Sequence, residues 1–355
     1  MKRIFIYMIA LICICFSIPI VFTKEFAQRT YSQGTVNENI VDNENTQKLE
    51  NDIQKSTYDY KKYNKIKLLH TETNETEEID LDTYLYGVVS AEMPASFEEE
   101  ALKAQAVVAR TYTIYKIVNN DGKHGDCDIC DNSTCCQAWI SQEERKSKWK
   151  ESEREENWNK IVNAVNSTQG KIITYNGQPI NAFFHSNSGG ETETPVNVWG
   201  GSGYPYLQTV ATSGEDAYSQ YSSEASFSKE EFEEKIKELH SDFEIDFSKD
   251  DCIKIKDYTE GNRVKTIKIG NLELSGVEVR NIFGLRSANF KVTVENENIK
   301  FEVIGYGHGV GMSQTGADSL AKQGKTYEDI IHHYYTNVEI EDMWKYFTYL
   351  PSTSL

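Results

Sequence analysis

The spacing of apolar positions predicts a membrane anchor at the start of the chain. Lys2 and Arg3 precede an uncharged apolar run from Ile4 to Phe22. A bilayer-spanning helix needs about 20 such residues, and this run approaches that length. The run is long for the apolar part of a signal peptide, and no Ala-x-Ala cleavage site directly follows it. We therefore predict an uncleaved transmembrane helix over residues 1–23, with the basic side in the cytoplasm.

The hydrophobic pattern then disappears and returns further along the chain. Residues 24–62 are rich in Asn, Gln, Thr, Glu and Lys and show few apolar positions and no steady period. Such a composition predicts a flexible stalk. Ordered periodicity follows over residues 63–340, where we expect one catalytic domain outside the cytoplasm. Residues 341–355 are expected to form a C-terminal tail.

The domain begins with the pattern of a hairpin that leads into a helix. Ile66–Leu68 and Glu77–Ile79 flank a polar segment, which predicts two short strands and a turn. Asp80 or Asp82 can cap the helix that follows. That helix is expected to end at Glu92, because the backbone just before a proline is biased away from helix.

A second helix is predicted directly after this point. Ser96 and Glu99 have the spacing of a capping box, and an Ala- and Val-rich stretch continues to about Val118. Glu92 therefore stands at the elbow of two helices, which makes it the candidate catalytic acid. A solvated acid near a helix terminus is the alternative that the residues alone leave open.

The remaining patterns mix strands and helices, so the predicted fold class is α+β, with helices and short antiparallel sheets. Asn176-Gly177 suits the primed turn of a hairpin. Ser228–His240 has the pattern of a capped, charged helix. Val264–Gly305 alternates as strands do, with a short helix near Val277–Leu285. Residues 228–275 are a possible inserted or smaller second lobe.

The composition and charge of the chain indicate which classes of partner it can bind. The chain has 355 residues, a net charge of −18, 39% hydrophobic residues and a mean hydropathy of −0.57. A nucleic-acid-binding protein needs a basic surface to displace counterions, and no basic stripe is present in the sequence. The charge is compatible with a glycan as partner, and it equally serves to keep a surface protein soluble.

Two glycine-rich segments have the composition of ligand-binding loops. Phe183–Gly190 combines hydroxyls, an amide and paired glycines, which allow close approach to the backbone. Gly305–Ala317 alternates glycines before a predicted helix but lacks the Gly-Lys-Ser/Thr ending of a phosphate loop. A plain polar loop is the alternative for the first segment.

A cysteine-rich loop lies between Asn119 and Gln137. It contains His124 and four cysteines, which are Cys127, Cys130, Cys135 and Cys136. Crowded soft ligands beside a histidine favour zinc, and a short loop without a core gains order from such a site. Disulfide bonds within the loop, which the compartment permits, and free thiols are the alternatives.

Five stretches in order carry a family resemblance. They are Ser90-Ala91-Glu92-Met93-Pro94, Ala104-Gln105-Ala106 through Arg110-Thr111-Tyr112, Cys136-Gln137-Ala138, Ser186 to Gly190, and Tyr306 to Gln314. Together they resemble the stage II sporulation protein D family, over roughly Lys65 to Val338. The chain departs from the family pattern at Gln208, where relatives have Lys, and at Thr315, where they usually have Tyr.

The resemblance implies a peptidoglycan lytic transglycosylase of engulfment during sporulation. Such an enzyme cleaves peptide-stripped glycan between N-acetylmuramic acid and N-acetylglucosamine and leaves 1,6-anhydro ends. It also implies a partner amidase, other engulfment proteins, and a place in the cell membrane on the mother-cell side. A glycan-binding activator of an amidase is the alternative, and a zinc hydrolase is a third hypothesis.

The resemblance further implies the site residues. Glu92 is the expected catalytic acid, and His124, Cys130, Cys135 and Cys136 are the expected ligands of a structural zinc, with Cys127 left over. Arg110 is expected to orient Glu92, to hold the glycan, or to pair with a structural acid. The residues expected to bind substrate are Arg110, His185, Ser188, Tyr206, Met312, Ser313 and Gln314.

Overall fold

The structure is a computed structural model that describes residues 65–119 and 122–343. The predicted anchor over 1–23, the predicted stalk over 24–62 and the part of the predicted tail beyond Met343 lie outside these residues. Across the two described ranges, no helix combines the length and the apolar character that crossing a membrane requires.

Helices and short strands alternate along the described chain. The helices are α1 (Leu81–Glu92), α2 (Glu99–Val118), α3 (Gln142–Ser147), α4 (Arg154–Ser167), α5 (Pro195–Trp199), α6 (Lys229–Lys237), α7 (Gly276–Phe283), α8 (Gln314–Lys322) and α9 (Tyr327–Tyr334). Short 3₁₀ turns occur at Glu151–Glu153 and Glu215–Ala217.

The strands are short and belong to several small sheets. They are β1 (Lys65–His70), β2 (Glu75–Asp80), β3 (Ile129–Cys130), β4 (Lys171–Tyr175), β5 (Gln178–Pro179), β6 (Phe184–His185), β7 (Ser222–Ser228), β8 (Ile253–Tyr258), β9 (Val264–Ile269), β10 (Leu272–Ser275), β11 (Phe290–Val294), β12 (Asn298–Ile304), β13 (Met312–Ser313) and β14 (Glu339–Asp342). The sheet orders are β2-β1-β3, β14-β4-β5, β13-β6, β11-β12-β7 and β10-β9-β8. This mixture confirms the predicted α+β class.

The main hydrophobic core is built around α2. Its small side chains, among them Ala104, Ala106 and Val107, are fully buried. Alanine and valine let neighbouring backbones approach closely, and α2 packs against α1, α4, α8, α9 and β4. The helix that follows the Glu92 elbow is therefore the central element of this core.

A second hydrophobic cluster gathers the strands and helices between β7 and β12. Phe232 of α6 stacks on Phe283 of α7 with ring centroids 4.8 Å apart, and Phe301 of β12 packs against both rings. The predicted lobe over 228–275 contributes part of this cluster, and β11 and β12 contribute another part.

Several local predictions are confirmed. β1 and β2 pair in antiparallel register from Lys65 opposite Asp80 to His70 opposite Glu75. Asn176 and Gly177 have φ of 50° and 69°, as the primed turn between β4 and β5 requires. Helix α6 begins with the capping box of Ser228 and Glu231.

The predicted capping box at Ser96 and Glu99 is wrong. The N-cap of α2 is Glu98, whose side chain makes no capping hydrogen bond. The carboxylate of Asp318, on α8, instead accepts the N–H of Glu98 at 2.6 Å. A distant helix therefore supplies the cap, which local spacing cannot reveal. Asp80 occupies the N-cap position of α1 but likewise makes no side-chain capping bond.

The two glycine-rich segments meet through a parallel strand pair. Phe184 of β6 lies opposite Met312 of β13, and His185 lies opposite Ser313. Gly311 precedes β13 with φ of 73°, and a Cβ at this position would overlap the carbonyl oxygen of Phe183. A glycine is therefore required for the close approach of the two backbones.

Asp318→Ala should destabilise the protein by about 2 kcal/mol, since it removes the cap of α2 and a buried acceptor. Asp318 is buried and also accepts bonds from Tyr218 and Lys322, each at 2.7 Å. Denaturant unfolding measures this loss. The control Asp329→Ala removes an exposed cap, that of α9, and should cost only about 0.5–1 kcal/mol. Equal losses in the free energy of unfolding for the two variants would show that the long-range cap stabilises the protein no more than an ordinary local cap.

Candidate active site

Glu92 lies at the last position of α1 and is partly buried. The backbone N–H of Ala138 donates to Oε1 at 2.7 Å, and Gln314 Nε2 donates to Oε2 at 3.1 Å. Burial raises the pKa of Glu92 above its ordinary value, while these two hydrogen bonds favour the charged form and oppose the rise. The result is an acid that retains its proton to higher pH than an exposed glutamate.

The segment that carries Ala138 is fastened to both helices of the elbow. Gln137 is buried and donates from Nε2 to Tyr84 Oη at 2.9 Å and to Thr113 Oγ1 at 3.0 Å. Trp139 packs over Gly87 of α1, where a Cβ would overlap its indole ring. The absence of a side chain at Gly87 therefore allows this segment to lie against α1, next to Glu92.

A buried acid that the sequence analysis missed joins the two glycine-rich segments. Glu215 accepts the backbone N–H groups of Ser188 and Gly190, each at 2.9 Å, and it also bonds the hydroxyls of Ser188, Ser313 and Thr315. It lies in a 3₁₀ turn far from either segment in sequence. No motif marks it, because its role depends only on which loops fold over it.

This network leads directly to Glu92. Ser313 is the N-cap of α8, where its hydroxyl accepts the N–H of Gly316 at 3.2 Å. The next residue is Gln314, whose amide bonds Glu92. Glu215 thus positions Ser313, and Ser313 starts the helix that presents Gln314 to the acid.

The residues predicted to bind substrate lie behind the exposed surface. Gln314 alone of them touches Glu92 through a hydrogen bond in the part of the chain that the structure describes. All seven are buried, with 0–6% of their surface exposed: Arg110, His185, Ser188, Tyr206, Met312, Ser313 and Gln314. In the structure these side chains support the site, and their contact with substrate stays a prediction.

Arg110 is an example of such a buried, supporting side chain. Its guanidinium donates to the carbonyls of Thr168 at 2.8 Å, Lys171 at 3.2 Å and Val165 at 3.2 Å, and it lies 3.9 Å from the carboxylate of Asp82. The carbonyls of Val165 and Thr168 stand at the end of α4, where a cation is favourable. Of the three roles that the sequence left open, the structure shows the pairing with a structural acid.

His185 and Tyr206 are also held inside the protein. His185 Nδ1 lies 3.1 Å from the carbonyl oxygen of Val310, and burial, with nearby His308 and Arg263, holds the pKa of His185 well below its ordinary value. The imidazole is therefore neutral at pH 7. The hydroxyl of Tyr206 accepts the N–H of Asn181 at 3.0 Å. Both side chains maintain the loops that surround β6.

Aromatic groups next to these loops are open to a ligand. Trp199, at the end of α5, is 52% exposed, and its ring centroid lies 4.7 Å from that of Phe183 and 5.1 Å from that of His308. Trp199 is not among the residues that the sequence predicts to bind substrate. Its exposure, which no local pattern predicts, distinguishes it from the buried Tyr206.

The cysteine-rich loop brings the four predicted ligands together. The ligand atoms of His124, Cys130, Cys135 and Cys136 all lie within 4.8 Å of one another. His124 Nε2 is 3.2 Å from Cys136 Sγ and 3.6 Å from Cys135 Sγ. With zinc bonds of about 2.0–2.3 Å, a tetrahedral site needs ligand separations of this size. The donor set therefore fits a zinc ion.

Cys127 lies outside this set, as predicted for the left-over thiol. Its Sγ lies 3.2 Å from Thr76 Oγ1 on β2. The cysteines at 127, 130, 135, 136 and 252 are all free thiols in the structure. The disulfide alternative for the loop is thus not what the structure contains.

Comparisons with known proteins agree with the motifs. The family model "Stage II sporulation protein" matches residues 69–175. The chain is 38% identical to Stage II sporulation protein D of Bacillus subtilis over 78% of this chain and 79% of that protein. It is 37% identical to the protein of the same name from Bacillus amyloliquefaciens over 78% of each. It is also 30% identical to the Amidase enhancer of Bacillus subtilis, over 71% of this chain and 39% of that protein.

Proposed function

This chain belongs to the stage II sporulation protein D family, and we propose that it is a lytic transglycosylase. Its substrate is peptide-stripped peptidoglycan glycan, cut between N-acetylmuramic acid and N-acetylglucosamine. The observation that carries this proposal is the environment of Glu92. A partly buried carboxyl of raised pKa, bonded by one backbone amide and one side-chain amide, is suited to proton transfer.

In the first step, protonated Glu92 donates its proton to the glycosidic oxygen as the bond to the anomeric carbon breaks. The leaving sugar departs with a new hydroxyl, and the muramic acid ring carries the positive charge. Glu92 becomes a carboxylate at the same moment. The Ala138 N–H and the Gln314 amide both donate to that carboxylate and stabilise its charge.

In the second step, the 6-hydroxyl of the same muramic acid attacks the anomeric carbon. The Glu92 carboxylate accepts the hydroxyl proton, the new C–O bond closes a 1,6-anhydro ring, and the acid is restored. Ordinary glycosidases use two carboxylates because a water or an enzyme group must attack. Here the substrate supplies the nucleophile, so one acid is sufficient.

The two alternative functions are an activator of an amidase and a zinc hydrolase. The relative named Amidase enhancer favours a body that binds glycan and activates an amidase without cutting. A zinc hydrolase is disfavoured by the donor set, since His124, Cys130, Cys135 and Cys136 would fill a tetrahedral ion and leave no position for water.

We further propose that residues 1–23 anchor the protein in the cell membrane and that the body acts outside the cytoplasm, in the space between mother cell and forespore. An amidase that strips peptides from the glycan is the expected functional partner. Both proposals rest on the family and on the apolar run of the sequence.

Glu92→Gln should greatly slow cleavage, because an amide cannot donate the proton that the leaving oxygen needs. We expect a rate loss of about 10²–10⁴-fold. Purified full-length protein is incubated with peptide-free glycan, and the products are identified by mass spectrometry. Glu98→Gln, at an exposed acid on the same elbow, is the matched control and should cut normally.

The products separate the three functions. Anhydro-ended fragments that disappear in Glu92→Gln support the transglycosylase. Glycan binding without any product supports the amidase activator. Reducing-end products that a chelator abolishes support the zinc hydrolase.

Gln314→Leu should shift the pH dependence of cleavage to higher pH. The Gln314 amide stabilises the Glu92 carboxylate, so its loss raises the pKa of Glu92 further and keeps the acid protonated as the pH increases. The alkaline limb of the kcat/KM profile therefore shifts to higher pH. The control variant Gln220→Leu should leave the limb at its original pH. A profile unchanged in Gln314→Leu would mean that this limb does not report Glu92.

We propose that the cysteine-rich loop holds a structural zinc, which would order the loop between α2 and the Ala138 segment. Elemental analysis of the purified protein should find about one zinc per chain, with loss of zinc in Cys136→Ser. The melting temperature should then fall by roughly 5 °C or more. Cys127→Ser is the control and should keep its zinc, since Cys127 is outside the ligand set. Retention of zinc by Cys136→Ser would refute this assignment.

A further inference from the structure

We propose that Trp199 and Arg280 form a saccharide subsite that recognises a muramic acid residue by its free lactyl carboxylate. Trp199 supports the sugar ring, and Arg280 pairs with the carboxylate. The inference rests on the proposed function, because it names what selects the glycan. It concerns recognition and assigns no part in bond breaking to either residue.

Trp199 exposes a large aromatic surface to water, which is unfavourable in free energy. Its indole is 52% exposed, yet it is held in place by Phe183 and His308. The adjoining Gly200 has φ of 77°, so the chain turns away immediately after the ring. A rigid, half-exposed indole is suited to packing against the apolar face of a sugar.

Arg280 lies in a pocket that adjoins this ring. Val198 of α5 lines the pocket, as do His308, Arg263 and Arg280, so His308 is shared by the pocket and the indole platform. Arg280 is partly exposed, and its Nε donates to the carbonyl oxygen of Leu285 at 3.3 Å. Within residues 65–119 and 122–343, no hydrogen-bond acceptor or acid pairs with its two Nη groups.

The other charged groups of the pocket are already engaged. Arg263 donates to the carbonyls of Glu191 at 3.0 Å, Gly261 at 2.8 Å and Ser188 at 3.0 Å. Glu193 is buried and accepts bonds from the backbone N–H of Thr194 at 2.7 Å, from Asn197 at 2.8 Å, and from the Thr259 hydroxyl. Arg263 Nε makes no hydrogen bond but is fully buried, so the partly exposed Arg280 offers the donors of this pocket that are nearest to solvent.

The pocket has the opposite charge from the protein as a whole. Two arginines and one acid line it, whereas the chain carries a net charge of −18. A guanidinium with two available Nη groups matches the two oxygens of a carboxylate. An anionic group of a ligand would therefore be drawn to this point and away from most of the surface.

The subsite and the acid are connected through a short path. The N–H of Met312 donates to the carbonyl of Phe183 at 3.1 Å, and Phe183 packs on Trp199. Gln314, which bonds Glu92, follows Met312 by two residues, or about 7 Å of extended chain. Phe183 directly precedes β6 and Gln314 directly follows β13, so the aromatic platform and the contact to Glu92 are attached to the same strand pair.

A lactyl carboxylate is the group that distinguishes muramic acid in stripped glycan. In intact peptidoglycan this carboxyl is tied to the peptide as a neutral amide. Removal of the peptide leaves it as a free carboxylate. A subsite that pairs it with Arg280 would thus prefer glycan from which peptides have been removed, by charge and not by size alone.

The test measures binding by full-length Glu92→Gln protein, in which cleavage is suppressed. Two probes are compared, which are peptide-free glycan with free lactyl carboxylates and the same glycan with each carboxylate converted to its methylamide. Arg280→Gln and Trp199→Ala are added to the Glu92→Gln protein. Arg286→Gln is the matched control, since Arg286 lies over the Tyr306 ring and outside the pocket.

We expect the carboxylate glycan to bind about tenfold more tightly than the methylamide. Arg280→Gln should remove this preference by weakening the carboxylate form alone, and Arg280→Lys should restore part of it. Trp199→Ala should weaken both forms alike and keep the preference. Arg286→Gln should behave as the parent. Equal binding of the two glycans by the parent, or a full preference in Arg280→Gln, would overturn the proposal.

The outcome is independent of whether the protein cuts glycan. A preference for the carboxylate glycan that depends on Arg280 supports the subsite even when wild-type protein yields no anhydro products, and the transglycosylase proposal then fails alone. The ratio of the two glycan affinities in the Glu92→Gln protein is measured without any substitution at the subsite. It can therefore be measured even when Arg280→Gln misfolds. Circular dichroism of each variant identifies such misfolding.

Discussion

The site depends on one buried carboxylate, that of Glu215, which holds the two glycine-rich segments together. Hydroxyls and backbone N–H groups from both segments converge on its two oxygens. Buried donors of this kind are costly unless they find an acceptor. The segments are thus joined to each other because both need the same acid. Ser313 belongs to this network, and it begins the helix that delivers Gln314 to Glu92.

The elbow that carries Glu92 is held in a similar way by groups distant in sequence. Asp318 caps α2, and Arg110 reaches from α2 to the carbonyls at the end of α4. Gln137 bonds both helices of the elbow and sets the Ala138 N–H beside the acid. The proposed proton donor is therefore mounted on rigid elements, as a group that must meet a substrate in a defined geometry requires.

Most residues of the family motifs shape the site, and they are buried. Ser188 and Ser313 bond Glu215, and Gly311 lets β6 and β13 approach. Partly exposed groups such as Trp199 belong to no short motif. The motifs therefore mark the residues that hold the loops around Glu92 in place.

The sequence by itself determined the α+β class, the helix that ends at Glu92 and the Asn176-Gly177 turn, since each depends on local spacing or turn geometry. The family resemblance implied the grouping of His124 with three cysteines. The tertiary structure alone decided that Asp318 caps α2, that Arg110 is buried, that Glu215 joins the loops and that Arg280 lines a pocket with His308, on which Trp199 packs. These four facts depend on which distant segments meet. The role of a polar side chain depends on its partners and its burial in the folded protein. Neither can be deduced from the residue type alone.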